Sequence, residues 1–184
     1  MVCMKMKKLL LISIVSVFIL GLCWSKETDK IQFEFYDQKI PDILYALSLY
    51  SGKSIITDET VIGNTTFQYS GISFETALEQ FLKANRLYCI EENGILVVSK
   101  IRLEKNETGR LTLDAFDSQI STILERLSYK TNTPILFASL PQTKISIHIT
   151  DSELKNIVLL VLKPFLNYGV EEQTKGLAVV LNEK

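Results

Sequence analysis

Apolar and polar residues alternate at Ile31, Phe33 and Phe35, and again at Leu111, Leu113 and Ala115. A period of two puts one face on a core and the other in water, so both runs predict strands. Each run leads into an i, i+3, i+4, i+7 set, Ile40, Ile43, Leu44, Leu47 and Ile120, Ile123, Leu124, Leu127, which is one face of a helix. Asp37 and Asp117 stand just upstream and are read as carboxylates that cap those helices and favour their positive ends. Gly52 and Asn132 read as left-handed stops. Strands are expected at 53–57 and 134–137, the second with Pro134 at its start or on an edge, and at 65–69 and 145–149. Ser73 and Asp151-Ser152 announce further helices, with faces Phe74, Ala77, Leu78, Phe81, Leu82 and Leu154, Ile157, Val158, Val161, Leu162. Pro164 should stop the last helix near Lys163, since a residue before proline leaves helical geometry. Hairpins close the pattern, the first through Asn93-Gly94.

The pattern is the same text read twice. Ile31–Glu92 matches Leu111–Glu172 at a constant offset of 80 residues, with identities at Asp37/Asp117, Ile40/Ile120, Leu44/Leu124, Leu47/Leu127, Ile55/Ile135, Leu82/Leu162 and Tyr88/Tyr168. These are apolar or punctuation positions, which a shared fold needs, and they include no catalytic set. The predicted fold class is α+β: two tandem small domains, each β-α-β-β-α-β-β with two helices packed against short mixed sheets. They cover 31–100 and 111–184, and the polar stretch 101–110 reads as a linker. Domains of about 70 residues bury only ~60% of their unfolded surface, so packing against each other or a partner stabilises both.

The N-terminus adds an address. Lys5, Lys7 and Lys8 precede the uncharged run Leu9–Leu22, and Cys23-Trp24-Ser25 follows, so residues 1–25 read as a signal peptide cleaved near Ser25. That run is shorter than the roughly 20 apolar residues a membrane span needs. The rival is a lipid anchor at Cys23, against which bulky Leu22 argues, and an uncleaved N-terminal anchor is a further alternative. Removing the leader leaves 17 basic against 21 acidic residues, a balance that excludes nucleic acid and anionic membrane as partners. Only Cys89 then remains, so no internal disulfide is expected.

Candidate chemistry is sparse. His148 alternates with Ile147 and Ile149 and is read as solvent-facing; a lone histidine is poor evidence for a metal that wants three or four ligands. Cys89 reads as a small buried residue, and Glu91-Glu92 and Glu171-Glu172 as solvated turn acids. No catalytic, cofactor-binding or metal residue is assigned, no cofactor is implied, and the chain is expected not to be an enzyme.

Phe35-Tyr36-Asp37-Gln38-Lys39-Ile40-Pro41-Asp42-Ile43-Leu44, then Ser51-Gly52-Lys53-Ser54-Ile55-Ile56, Phe74-Glu75-Thr76-Ala77-Leu78 and Gly94-Ile95-Leu96-Val97-Val98 resemble the short N-terminal domain shared by secretins and TonB-dependent receptors. The resemblance covers Ile31–Lys100 and extends more weakly over Leu111–Leu181. It implies a bacterial periplasmic docking module, accessory to an outer-membrane secretion or transport system. The partner it implies is an envelope protein such as a secretin, a TonB-dependent receptor or an inner-membrane secretion component. No pore-forming or barrel region follows Leu181, so a channel or receptor activity is not carried over.

Where the copies disagree, a contact surface is expected. Glu79 and Gln80 are matched by Leu159 and Leu160, while Tyr45, Ala46 and Tyr50 are matched by Glu125, Arg126 and Lys130. Two readings stand: the copies pack on each other and bury Tyr45, Leu49, Leu159 and Leu160, or Tyr45, Leu49, Tyr50, Leu159 and Leu160 meet another protein or a second copy in a homo-oligomer. Strand addition at a free sheet edge is a further route, whose edge the sequence does not locate. The alternative function is a cell-wall or small-ligand binding protein with Phe67, Tyr69 and Tyr36 as a stacking surface.

Overall fold

The computed structural model describes residues 31–182; the signal peptide and Cys23 lie outside the described residues. The fold is α+β, with four helices and eleven strands among the described residues, in two small α+β domains. The first runs β1 (Ile31–Lys39), α1 (Ile40–Ser51), β2 (Ser54–Thr57), β3 (Asn64–Ile72), α2 (Phe74–Ala84), β4 (Tyr88–Glu92) and β5 (Ile95–Ser99). The second runs β7 (Leu111–Gln119), α3 (Ile120–Thr131), β8 (Ile135–Phe137), β9 (Lys144–Ser152), α4 (Leu154–Leu162), β10 (Tyr168–Gln173) and β11 (Gly176–Leu181). Each domain has its own core, and the helix faces expected from periodicity fill it: Ile43, Leu47 and Phe81 in one, Ile123, Leu127 and Val161 in the other, all fully buried.

The hairpins β4–β5 and β10–β11 each gain a parallel third strand, β2 or β8, across the helix between them. The long strands pair separately and in matching register. Glu34 faces Gln68 and Phe35 faces Phe67 between β1 and β3, and eighty residues on Asp114 faces His148 and Ala115 faces Ile147 between β7 and β9.

The stretch 101–110, expected to be a linker, is different. Ile101–Lys105 forms a further strand, β6, antiparallel to β7, and Ile101 and Leu103 enter the second core. A single buried residue, Lys100, separates β5 from β6. The apolar alternation of Ile101 and Leu103 outweighs the polar residues between them.

Asp37 and Asp117 do not cap helices. The N-cap residues are Lys39 and Gln119, with no side-chain cap bond, while both aspartates sit in β-bulges at φ of 47° and 45°. Aspartate tolerates this left-handed region better than most residues, and each one's backbone N–H donates to a neighbouring-strand hydroxyl, Thr66 or Ser146. Asp151 holds the same conformation where its counterpart is Gly71, so it too is a bulge residue, and Glu153 takes the N-cap place of α4. Ser73 does cap α2, accepting from the Thr76 N–H. Helix α4 ends at Leu162 as Pro164 requires, although Lys163 itself keeps helical angles.

Candidate interaction surfaces

The domains meet through charge and aromatic contacts and not through the apolar residues whose mismatch marked them. Arg126 on α3 reaches back to Asp58 (2.7 Å) and Glu59 (3.1 Å), and Lys100 lies 3.6 Å from Asp117. Burial alone raises the Asp58 carboxyl, but hydrogen bonds from Ser99 and Thr60, with the Arg126 charge, hold it below the usual carboxylate range. The Arg86 guanidinium stands 4.5 Å from the centre of the Phe116 ring. Lys100 also ties the backbones together: its N–H donates to the Thr60 hydroxyl and its carbonyl accepts from the Phe116 N–H. Because β5 runs almost directly into β6, the junction is set by those strands, and α1 and α4 keep their outer faces uncovered.

Tyr45, Leu49 and Tyr50 on α1 are therefore 64, 68 and 48% exposed, and Leu159 and Leu160 on α4 are 40 and 38% exposed. The reading in which the copies bury these residues against each other does not hold. Tyr50 packs edge-on against Phe33 (5.0 Å between ring centres), while Leu159 and Leu160 border a shallow depression with Phe165 and the almost fully exposed Leu166. These are two separate sets on two helices, one on each domain. The aromatic trio proposed for ligand stacking does not form a surface: Tyr69 is buried with its hydroxyl donating to the Ala77 carbonyl, Phe67 packs on Phe81, and only Tyr36 faces out.

One constellation escaped the sequence reading. Arg102, Asp114 and His148 form a row across β6, β7 and β9, each facing the next in register. Asp114 accepts from Arg102 Nη2 (2.6 Å) and Nε (3.0 Å) and is bonded to His148 Nδ1 on its other side. Burial by itself raises the Asp114 carboxyl, yet the bonds from Arg102 and His148 outweigh it and hold it below the ordinary range. His148 is exposed as expected, but its carboxylate neighbour comes from a strand 34 residues away, and separation of that kind hides a cross-strand pair from periodicity.

The row borders an open cleft of about 660 Å³ between the domains, walled by Lys83, Arg86 and Tyr88 on one side and Phe116 and Ile147 on the other. Among the described residues, no group of three or more metal-ligating side chains occurs and no buried side-chain nitrogen or oxygen lacks a hydrogen-bond partner. Of the charged groups in the cleft wall, Asp114 and His148 are bonded to each other and Asp114 to Arg102, which clasps the three strands together, and Arg86 lies against Phe116. Cys89 is half-buried, and burial pushes its thiol up, away from the reactive thiolate. Among the described residues no helix is long and apolar enough to cross a membrane.

No protein-family model matches the chain, and no curated protein matches it. Among solved structures, a chain in the atomic model of the Salmonella SPI-1 type III secretion injectisome basal body proteins InvG, PrgH and PrgK is similar over 81% of this chain and 36% of its own length, at 9% identity and a TM-score of 0.35. The chain thus spans little more than a third of that neighbour.

Proposed function

We propose that this protein is a non-enzymatic, exported interaction module of the bacterial periplasm, docking onto an envelope protein of an outer-membrane secretion or transport system. The observation that carries the reading is the uncovered apolar surface on both domains, Tyr45, Leu49 and Tyr50 on α1 and Leu159, Leu160 and Leu166 beside α4, in a protein whose own domains meet through charge. Scattered exposed leucines need no explanation, but apolar side chains grouped along one helix face mark a contact site. The element order agrees with the resemblance to the short N-terminal domains of secretins and TonB-dependent receptors, which supplies the compartment and the kind of partner.

The test is the double substitution Leu159→Glu, Leu160→Glu, introduced in the cell that makes the protein. The reading predicts that the variant is exported and folded, yet no longer co-purifies with the secretin, receptor or inner-membrane component that the unaltered protein brings down. Unchanged recovery of that component would contradict docking through α4.

A further inference from the structure

The two domains differ in one strand. In the second, β7 lies between β9 and β6; in the first its counterpart β1, eighty residues earlier, pairs with β3 alone among the described residues. The consequence is visible in burial: Leu113 and Asp114 are buried beneath and beside β6, whereas their counterparts Phe33 and Glu34 are half-buried and exposed. We propose that the outer edge of β1 receives an extended segment of a partner protein, antiparallel to β1 and carrying an apolar–Arg/Lys–apolar triplet. The proposal rests on the docking reading above and names the surface and the ligand chemistry it would use.

Strand β6 is the template for the occupant. Its Ile101 faces Ala115, its Leu103 faces Leu113, and Arg102 between them faces Asp114. Transferred by eighty residues, the two apolar side chains fall opposite Phe35 and Phe33, and the base falls opposite Glu34. Glu34 already faces Gln68, in the places that Asp114 and His148 occupy in the second domain, so the first domain has two members of the row and lacks the basic third. The helix beside the site is altered to match. Ile101 and Leu103 lie along Arg126, Tyr129 and Lys130 of α3, and the counterparts on α1 are Ala46, Leu49 and Tyr50. The uncovered residues Leu49 and Tyr50 thus border the open edge, where an incoming apolar pair would cover them. The backbone offers its half as well. Phe116 N–H donates to Lys100 O on the β6 side, and strand alternation points the Tyr36, Glu34 and Gln32 N–H groups outward in the same way.

The described strands of the chain do not supply this occupant. At the same offset stand residues 21–25, Gly-Leu-Cys-Trp-Ser, which would put Gly21 and Cys23 in the places of Ile101 and Leu103 and Leu22 where the base belongs. Among the described strands only β6 carries an apolar–Arg/Lys–apolar triplet, and it is already built into its own sheet. A second copy therefore has no spare strand of the right chemistry.

The probe is the peptide Lys-Ile-Arg-Leu-Glu-Lys, copied from residues 100–105, added to the isotope-labelled full chain as the cell processes it. The expected result is that the Gln32, Glu34 and Tyr36 amides shift and gain protection from exchange, and that a peptide with Glu for Arg binds at least tenfold more weakly. Glu34→Lys should reverse that preference, an outcome that loss of folding cannot mimic. Shifts confined to another strand edge, no binding, or a preference unchanged by Glu34→Lys would overturn the proposal. So would protection of those amides in the chain alone, because a second copy or the leader would then hold the edge. A failed peptide titration leaves docking through Leu159 and Leu160 intact, and unchanged co-purification of the α4 variant leaves the β1 edge intact, so the two failures are distinguishable.

Discussion

At Gly176 a single added atom decides whether a sheet closes. Leu177 donates its N–H to the Pro134 carbonyl, and a Cβ on Gly176 would lie 2.1 Å from that same oxygen. Backbone cannot give way there without breaking the β8–β11 ladder, so Gly176→Ala should cost about 2–4 kcal/mol and lower the thermal midpoint by at least about 5 °C. A melt within about 2 °C of the unaltered protein would show that β8 shifts freely. Asp114 gives a prediction in pH. Its folded carboxyl lies below the ordinary 3.8, so its stabilisation is complete above that value and is lost as pH falls through the lower folded value. Denaturant titrations from pH 6 to pH 2 should show a falling advantage of the unaltered protein over Asp114→Asn, and a constant difference would remove the Arg102–Asp114–His148 row as the cause. Residue roles of this kind were half legible. The left-handed stops at Gly52 and Asn132 were read from residue type and place, because only a few residues accept φ of 68° and 53° there. Asp37 and Asp117 were misread as caps because an aspartate before a helix suits either a cap or a bulge, and strand register, which sequence does not print, decides between them.

Elements followed from periodicity wherever one face is buried and the other is wet. Helices α1 to α4 and the Asn93-Gly94 hairpin stand where spacing put them, since each is fixed by local contacts. Strand β6 did not stand out: five residues with two buried apolar side chains give too short a run, and its reward comes from β7 across a turn. Helix α4 tests the other side of the same rule. It is apolar nearly all round, yet Ile157, Val158, Val161 and Leu162 are buried while Leu159 and Leu160 remain 40 and 38% exposed. Core packing therefore does not explain the two exposed leucines. Leu159→Glu with Leu160→Glu should cost no more than about 1 kcal/mol by chemical denaturation, the range of surface substitutions. A loss several times larger would mean that these leucines serve folding, and the surface reading of α4 would fail.

For the whole molecule, the offset of 80 residues places two similar domains side by side, and their differences define what is left open. The junction is held by Arg126 with Asp58 and Glu59, by Lys100 and by Arg86 on Phe116, which frees the apolar faces of α1 and α4 for other contacts. The uncovered faces were visible in the sequence as mismatches at Tyr45, Tyr50, Leu159 and Leu160. That they lie away from the junction was not, because strand β6, which follows β5 after Lys100 and sets the junction, falls within the polar stretch 101–110 that reads as a linker. The central claim is that these faces meet an envelope protein. Its most direct test is photo-crosslinking in the living cell from a probe residue placed at Leu160 or Leu49, with exposed polar Gln142 as control. The account predicts a discrete adduct with an envelope secretion or receptor component from each apolar site and none from Gln142; an exported, folded protein that gives no adduct from either apolar site would contradict it.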